Sequence, residues 1–166
     1  MLAEEFNRTF REEHRAVRDA LLDLVDAFRA GDLARARQLL ERIAALAGPH
    51  FRYEEESLYP ALVAIFGKEY VVKLLEDHDG AIATSRTLVG LAQRPSLSQQ
   101  ETNDAIRLVR TMLPHVSDCD GLSIMVERLD EPKVQQVLHT REQSLAAGLD
   151  LFAWADGVRR RPVLVA

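Results

Sequence analysis

His50-Phe51-Arg52-Tyr53-Glu54-Glu55-Glu56-Ser57-Leu58-Tyr59-Pro60 is the stretch on which the reading of this chain turns. His50 and Glu54 are four residues apart, so on a helix their side chains share one face, one turn apart. An imidazole and a carboxylate so placed can clamp a cation, and the carboxylate can bridge to a second one. Three consecutive glutamates ordinarily form a solvated acidic run. That reading is expected to hold for one or two of Glu54, Glu55 and Glu56, and of the three Glu54 has the right phase relative to His50.

Outward from this stretch the periodicity is helical throughout. Phe6, Phe10, Val17, Leu21, Leu24, Val25 and Phe28 mark a first helix. Gly31-Asp32 ends it and caps a second, running from about Leu33 to Leu58, with a kink or local break expected at Pro49. Tyr59-Pro60 and Gly67 read as a turn region. A third helix spans roughly Lys68 to Gln93, and Ser98 caps a fourth that runs to Leu129. Pro132 suits the first turn of a last helix, about 132–157. The expected architecture is all-α: one domain over 1–166, with an up-down antiparallel four-helix bundle at about 2–130 and an additional C-terminal helix. That last helix, with Leu145, Leu149, Leu151, Phe152 and Trp154, is expected to complete the core or to form a homodimer interface.

Four of the five histidines fall one per bundle helix, His14, His50, His78 and His115, each in or beside an apolar face. A single inward histidine is usually a core residue satisfied by a hydrogen bond. Four of them with no shared partner would leave costly buried donors and acceptors, whereas one metal site satisfies the set. After His115 the spacing leaves alternatives open. Asp118 and Cys119 are in phase with it, while Asp120 lies about 140° away on an ideal helix and reaches inward only through a bulge. Cys119 reads as a small buried core residue, since His and carboxylate donors suit iron without thiolate. His139, in a polar setting, reads as a surface residue. Glu76, Asp77 and Asp79 read as solvated, with one of them able to orient an imidazole. Arg159-Arg160-Arg161 reads as a solvated tail.

Composition bounds the function. With 166 residues, 47% hydrophobic and 28% charged, the chain can bury a proper core. A net charge of -5 argues against nonspecific nucleic-acid binding. No apolar run approaches a membrane span, and residues 1–30 do not read as a signal peptide, so a cytoplasmic protein with no membrane partner is expected. Cys119 is the only cysteine, so neither an intramolecular disulfide nor a cysteine-based zinc cluster can form.

The run His50–Pro60, together with His14, Asp77-His78-Asp79 and His115 followed by Asp120, resembles the hemerythrin-like, or HHE cation-binding, family over roughly residues 5 to 125. The resemblance implies a four-helix bundle around a di-iron centre, oxo- or hydroxo-bridged, that binds dioxygen or nitric oxide or senses iron or redox state. It implies His14, His50, His78 and His115 as terminal ligands and Glu54 and Asp120 as bridges, and it favours Asp120 over Asp118. Oxygen-carrying members have a further histidine one turn before the position of His78, and here that position is Leu74. Two imidazoles per metal with two shared carboxylates leave each metal an open position, which shifts the expectation from reversible oxygen carriage toward a reactive or sensing centre. It also leaves one-metal occupancy and another divalent metal as alternatives.

Two other classes compete. A di-metal oxidoreductase of the ferritin type would place Glu three residues before His, a pattern this chain lacks, and a hydrolase would want a free general base. A metal-free structural or partner-binding bundle would purify without metal. A binding module is preferred over an enzyme.

Overall fold

The computed structural model describes residues 2–165, and every regular element among them is helical. Helix α1 (Leu2–Arg29) ends before Gly31, whose φ of 70° only glycine adopts freely. Asp32 then caps α2 (Leu33–Tyr53), accepting from the Arg35 amide at 2.8 Å. A π-helical turn, Glu54–Leu58, joins α2 directly to α3 (Tyr59–Phe66). Gly67, with φ 82°, reverses the chain into α4 (Lys68–Ala92). Ser98 and Glu101 form a reciprocal capping box on α5 (Gln99–Met125). A 3-10 turn (Val126–Arg128) leads to α6 (Glu131–Ala147), capped by Asp130 with Pro132 in its first turn. Finally, Asp150 caps α7 (Leu151–Gly157).

Short connections make consecutive rods antiparallel. α1 packs against α2 and α5, and α4 against α2, α3 and α5, which closes the bundle; α6 lies on α1 and α2, and α7 on α2 and α4. Among the described residues no helix is long and apolar enough to cross a membrane.

Three expectations are corrected. Pro49 neither breaks nor ends α2, because the Ala45 carbonyl that loses its amide partner belongs to an exposed residue where water can replace it. The irregularity sits instead one turn ahead of Pro60, and Tyr59-Pro60 is helix rather than turn. Pro60 lacks an N–H and its ring crowds the carbonyl four residues back, so the helix widens and the Tyr59 amide bonds the Glu54 carbonyl five residues back. The C-terminal helix is two helices, broken at Gly148 (φ 61°).

The bundle core has two apolar layers. One gathers Leu21, Leu24, Phe28, Leu39, Ile43, Leu88 and Val109. The other gathers Phe6, Phe10, Leu58, Leu62, Val71, Leu74 and Leu122. Along their helices His14, His50 and His78 lie between them, and His115 stands where they meet, beside Val116 of the first layer. Leu151 and Trp154 of α7 are buried against Ala44, Ala47 and Ile82, so most of the C-terminal apolar bulk is absorbed within the chain, although Leu145 stays exposed.

α2 meets the α6–α7 connection backbone to backbone at Gly48. A Cβ there would stand 2.4 Å from Leu149 O and from the Asp150 carbonyl carbon. Alanine gains about 1 kcal/mol in helix propensity, but overpacking against main chain costs about 1–3 kcal/mol or more. Gly48→Ala is therefore expected to lower stability in urea unfolding. An unchanged midpoint would mean that the connection yields without cost.

A candidate metal centre between the two layers

His14, His50 and His78 are each held by Nδ1, which turns Nε2 inward. In α1, His14 follows Phe10 by one turn and its Nδ1 donates to the Phe10 carbonyl at 2.8 Å. His50 Nδ1 donates to Glu13 Oε2 at 2.7 Å, and His78 Nδ1 to Glu55 Oε1 at 2.9 Å. His115 Nδ1 lies 3.5 Å from Asp77 Oδ2, a looser approach. A carboxylate on the outer nitrogen fixes the tautomer and makes the inner nitrogen a better donor to a metal.

The imidazoles form two pairs. The ring centroids of His14 and His50 are 4.5 Å apart, and those of His78 and His115 are 4.9 Å apart. Glu54, fully buried, stands between the pairs with Oε1 3.3 Å from His50 Nε2 and Oε2 3.1 Å from His78 Nε2. Neither approach has hydrogen-bond alignment, so both Glu54 oxygens and His50 Nε2 are buried without a hydrogen-bond partner. Orphaned buried groups of this kind cost several kcal/mol each unless something completes them. A cation on either side of Glu54 completes them, and the donor set is His and carboxylate.

Two groups of donor atoms lie within 4.8 Å of one another: His14, Glu54 and Cys119 on one side, and Glu54, His78 and His115 on the other. Glu54 belongs to both. Asp120 belongs to neither, and the bulge that would turn it fully inward is missing, because α5 is regular α-helix through this region. Its Oδ1 is nevertheless buried and unpartnered, and its charge is near enough to His14 to favour the imidazolium there. Cys119, one turn after His115, takes the inward position, with Sγ 3.4 Å from His115 Nε2. Burial, then the Glu54 charge, pushes its thiol well above the ordinary range. Asp118 is exposed.

The charges alternate around the centre. Burial, then the neighbouring His50, pulls His14 down to about 4. Burial likewise opposes charge on His50, but Glu54 and Glu13 outweigh it and hold His50 up to about 10. His78 is raised because Glu54 and Glu55 outweigh its burial, and His115 is lowered by burial and then by His78. Burial would raise Glu13, yet His50, Tyr53 and Arg141 together bring it down to about 2.

Several residues around the centre were not expected. Glu13 stands among charged residues of α1, and no spacing in the sequence marks it. Glu55 is fully buried, leaving only Glu56 of the three glutamates exposed. An α-helix would set Glu55 well off the face of His50 and Glu54; the wide π turn brings both glutamates inside. Tyr59, one π turn after Glu54, places its hydroxyl 3.1 Å from His78 Nε2 and 3.6 Å from Cys119 Sγ. Leu74 is buried in the apolar layer one turn before His78. Phe51 stacks on His78 at 3.7 Å and nearly parallel. His139 is exposed.

Tyr53 donates to Glu13 Oε2 at 2.7 Å, alongside His50. Tyr53→Phe removes one donor from this carboxylate and is expected to cost about 1.5–3 kcal/mol, the range for hydrogen bonds to charged groups. Thermal unfolding of the metal-free protein measures it, and a stability equal to wild type would show that water replaces the phenol.

A cleft of about 310 Å³ between α4 and α5, lined by Lys73, Asp77, Gly80, Thr84, Pro114, His115 and Asp118 among others, reaches His115 from outside. A larger one, about 830 Å³, opens beside the start of α1 and touches none of the four imidazoles. The cleft between α4 and α5 therefore bears on the centre, and the larger one does not.

An all-helical bundle with a buried His and carboxylate layer between its rods defines a cation-binding protein of the four-helix class. Residues 6–121 match the hemerythrin HHE cation binding domain, and the chain belongs to that family. No curated protein and no solved structure matches it.

Proposed function

We propose that this chain holds a non-haem di-iron centre that binds dioxygen or nitric oxide, or reports iron or redox state, in the cytoplasm. The observation that carries the reading is the place of Glu54, with one oxygen toward each imidazole pair and neither oxygen hydrogen-bonded. His14 and His50 would hold one metal and His78 and His115 the other. Glu54 would lie between the metals, and Asp120 or Cys119 would add a donor on the His14 side. Iron supplies the redox change and the affinity for a diatomic ligand. The chain supplies a dry, shaped site: Phe51 covers His78, Leu74 fills the position one turn before it, and Tyr59 offers a hydroxyl to the same edge of the centre. The cleft between α4 and α5 is the route from solvent to His115.

Metal analysis with an optical spectrum tests the reading. Two irons per chain with charge-transfer bands in the near ultraviolet are expected. Stoichiometric zinc in a protein indifferent to iron would favour hydrolysis, and folded protein that takes up neither metal would overturn every metal-based reading.

A further inference from the structure

Residues beyond the matched segment 6–121 reach both halves of the centre through arginine. Arg141 of α6 approaches Glu13 Oε1 with Nε at 2.7 Å and Nη2 at 2.6 Å, while Oε2 of the same carboxylate accepts from His50 and Tyr53. Arg159, just after α7, forks onto Glu55, with Nε to Oε2 at 2.9 Å and Nη2 to Oε1 at 2.7 Å. Glu55 Oε1 also accepts from His78 Nδ1. Arg159 is itself fixed, with Nη1 2.8 Å from Asp79 and the guanidinium over the Trp154 ring at 5.4 Å. The pattern arginine, glutamate, imidazole thus occurs twice, once for each half of the centre.

We infer that Arg141 and Arg159 are positioning residues of the metal centre, each holding the glutamate that aims one imidazole, so that the segment from α6 onward sets the metal affinity of the two halves separately. The inference rests on the metal-centre reading above. A glutamate has three rotatable bonds, and an imidazole turns with the carboxylate that holds it. A guanidinium on the far side removes that freedom before the metal arrives, which is how outer partners come to govern affinity at a site they do not touch. An isolated surface ion pair has no such lever: it contributes little to stability and is indifferent to a metal. These two pairs differ because each carboxylate also holds an imidazole.

Cobalt(II) titration of the full chain, followed by its visible absorption, tests this. Wild type is expected to take up two equivalents. Arg159→Gln and Arg141→Gln should each leave one equivalent at wild-type affinity and weaken the other by about 10–100-fold. A His14→Ala background, which disables the His14/His50 half, distinguishes them: there Arg159→Gln should weaken the remaining equivalent and Arg141→Gln should leave it alone. Two wild-type equivalents in both glutamine variants, or an equal weakening of both halves in each, would overturn the inference while the metal-centre reading stands. Wild-type protein that takes up no cobalt would overturn both. Should a glutamine variant fail to fold, the lysine variants, which keep the charge but lose the fork, carry the same comparison with the same two outcomes.

Discussion

Replacing Glu54 with glutamine is expected to abolish tight binding of both metals while leaving the metal-free protein folded. The glutamate is the one donor common to both groups of candidate ligands, and the glutamine keeps its shape but not its charge. The half with His78 and His115 would be left with two imidazoles, and the half with His14 and His50 would keep Cys119 or Asp120 beside its pair. Outer partners of a metal site already govern about 10–100-fold in affinity, so loss of the shared ligand is expected to exceed that range. The metal-free fold has less to lose, because His50 retains its bond to Glu13. Thermal unfolding with and without metal reads both effects. At free metal one hundred times the dissociation constant, binding stabilises the wild type by about 2.7 kcal/mol, and a hundredfold weaker site brings that to about 0.4 kcal/mol. Glu56→Gln, two residues away and exposed, is the control. A Glu54→Gln variant still stabilised by metal to the wild-type extent would remove Glu54 from the centre.

The parts of this arrangement that were legible in the sequence are those written along single helices. The spacing from His50 to Glu54, the placing of one histidine in each bundle helix, and the caps at Asp32 and Ser98 are local patterns, and local patterns survive folding. What was illegible depends on which helix lies beside which. Glu13 stands among charged residues in α1, and only the packing of α1 on α2 and α6 turns it toward His50, Tyr53 and Arg141. Arg159 reads as tail until α7 folds back on α2 and α4. A widened turn is present, but not in the helix where the sequence made one conditional. Asp120 reaches inward only through a bulge in α5, whereas the π turn forms in the second rod, where Pro60 crowds the carbonyl of Glu56. Pro60 was the available signal, since six and five residues before it Glu54 and Glu55 offer two carboxylates that an α-helix cannot both turn to one face.

Metal affinity is expected to rise steeply with pH, because the metal must displace protons that the centre holds in its absence. His50 stays protonated up to about 10 in the metal-free protein, and His78 is shifted in the same direction. His14 is shifted down to about 4 and is neutral at pH 7, and His115 is shifted in the same downward direction. The half with His14 and His50 therefore pairs one imidazole that is ready for a metal with one that must first give up a proton from Nε2. Below its folded pKa each such proton costs about tenfold in apparent affinity per pH unit, so His50 alone predicts a rise of about 100-fold between pH 6.5 and 8.5. The stability of the metal-free fold has the opposite sense on the alkaline side. The raised pKa of His50 gives a contribution that is complete below about 6.5, the unfolded value, and is lost as pH rises through about 10. On the acid side, His14 takes its proton more readily when unfolded, so stability falls as pH drops from about 6.5 to 4. The low pKa of Glu13 contributes above about 4.5 and is lost as pH falls through about 2. The stabilisation conferred by metal should accordingly widen with rising pH across the range in which the metal-free protein gains nothing. Calorimetric titration in two buffers of different ionisation enthalpy counts the protons released, with at least one expected per two metals at pH 7.5. An affinity that does not change from pH 6.5 to 8.5, with no protons released, would mean that the metal does not bind at His50 Nε2.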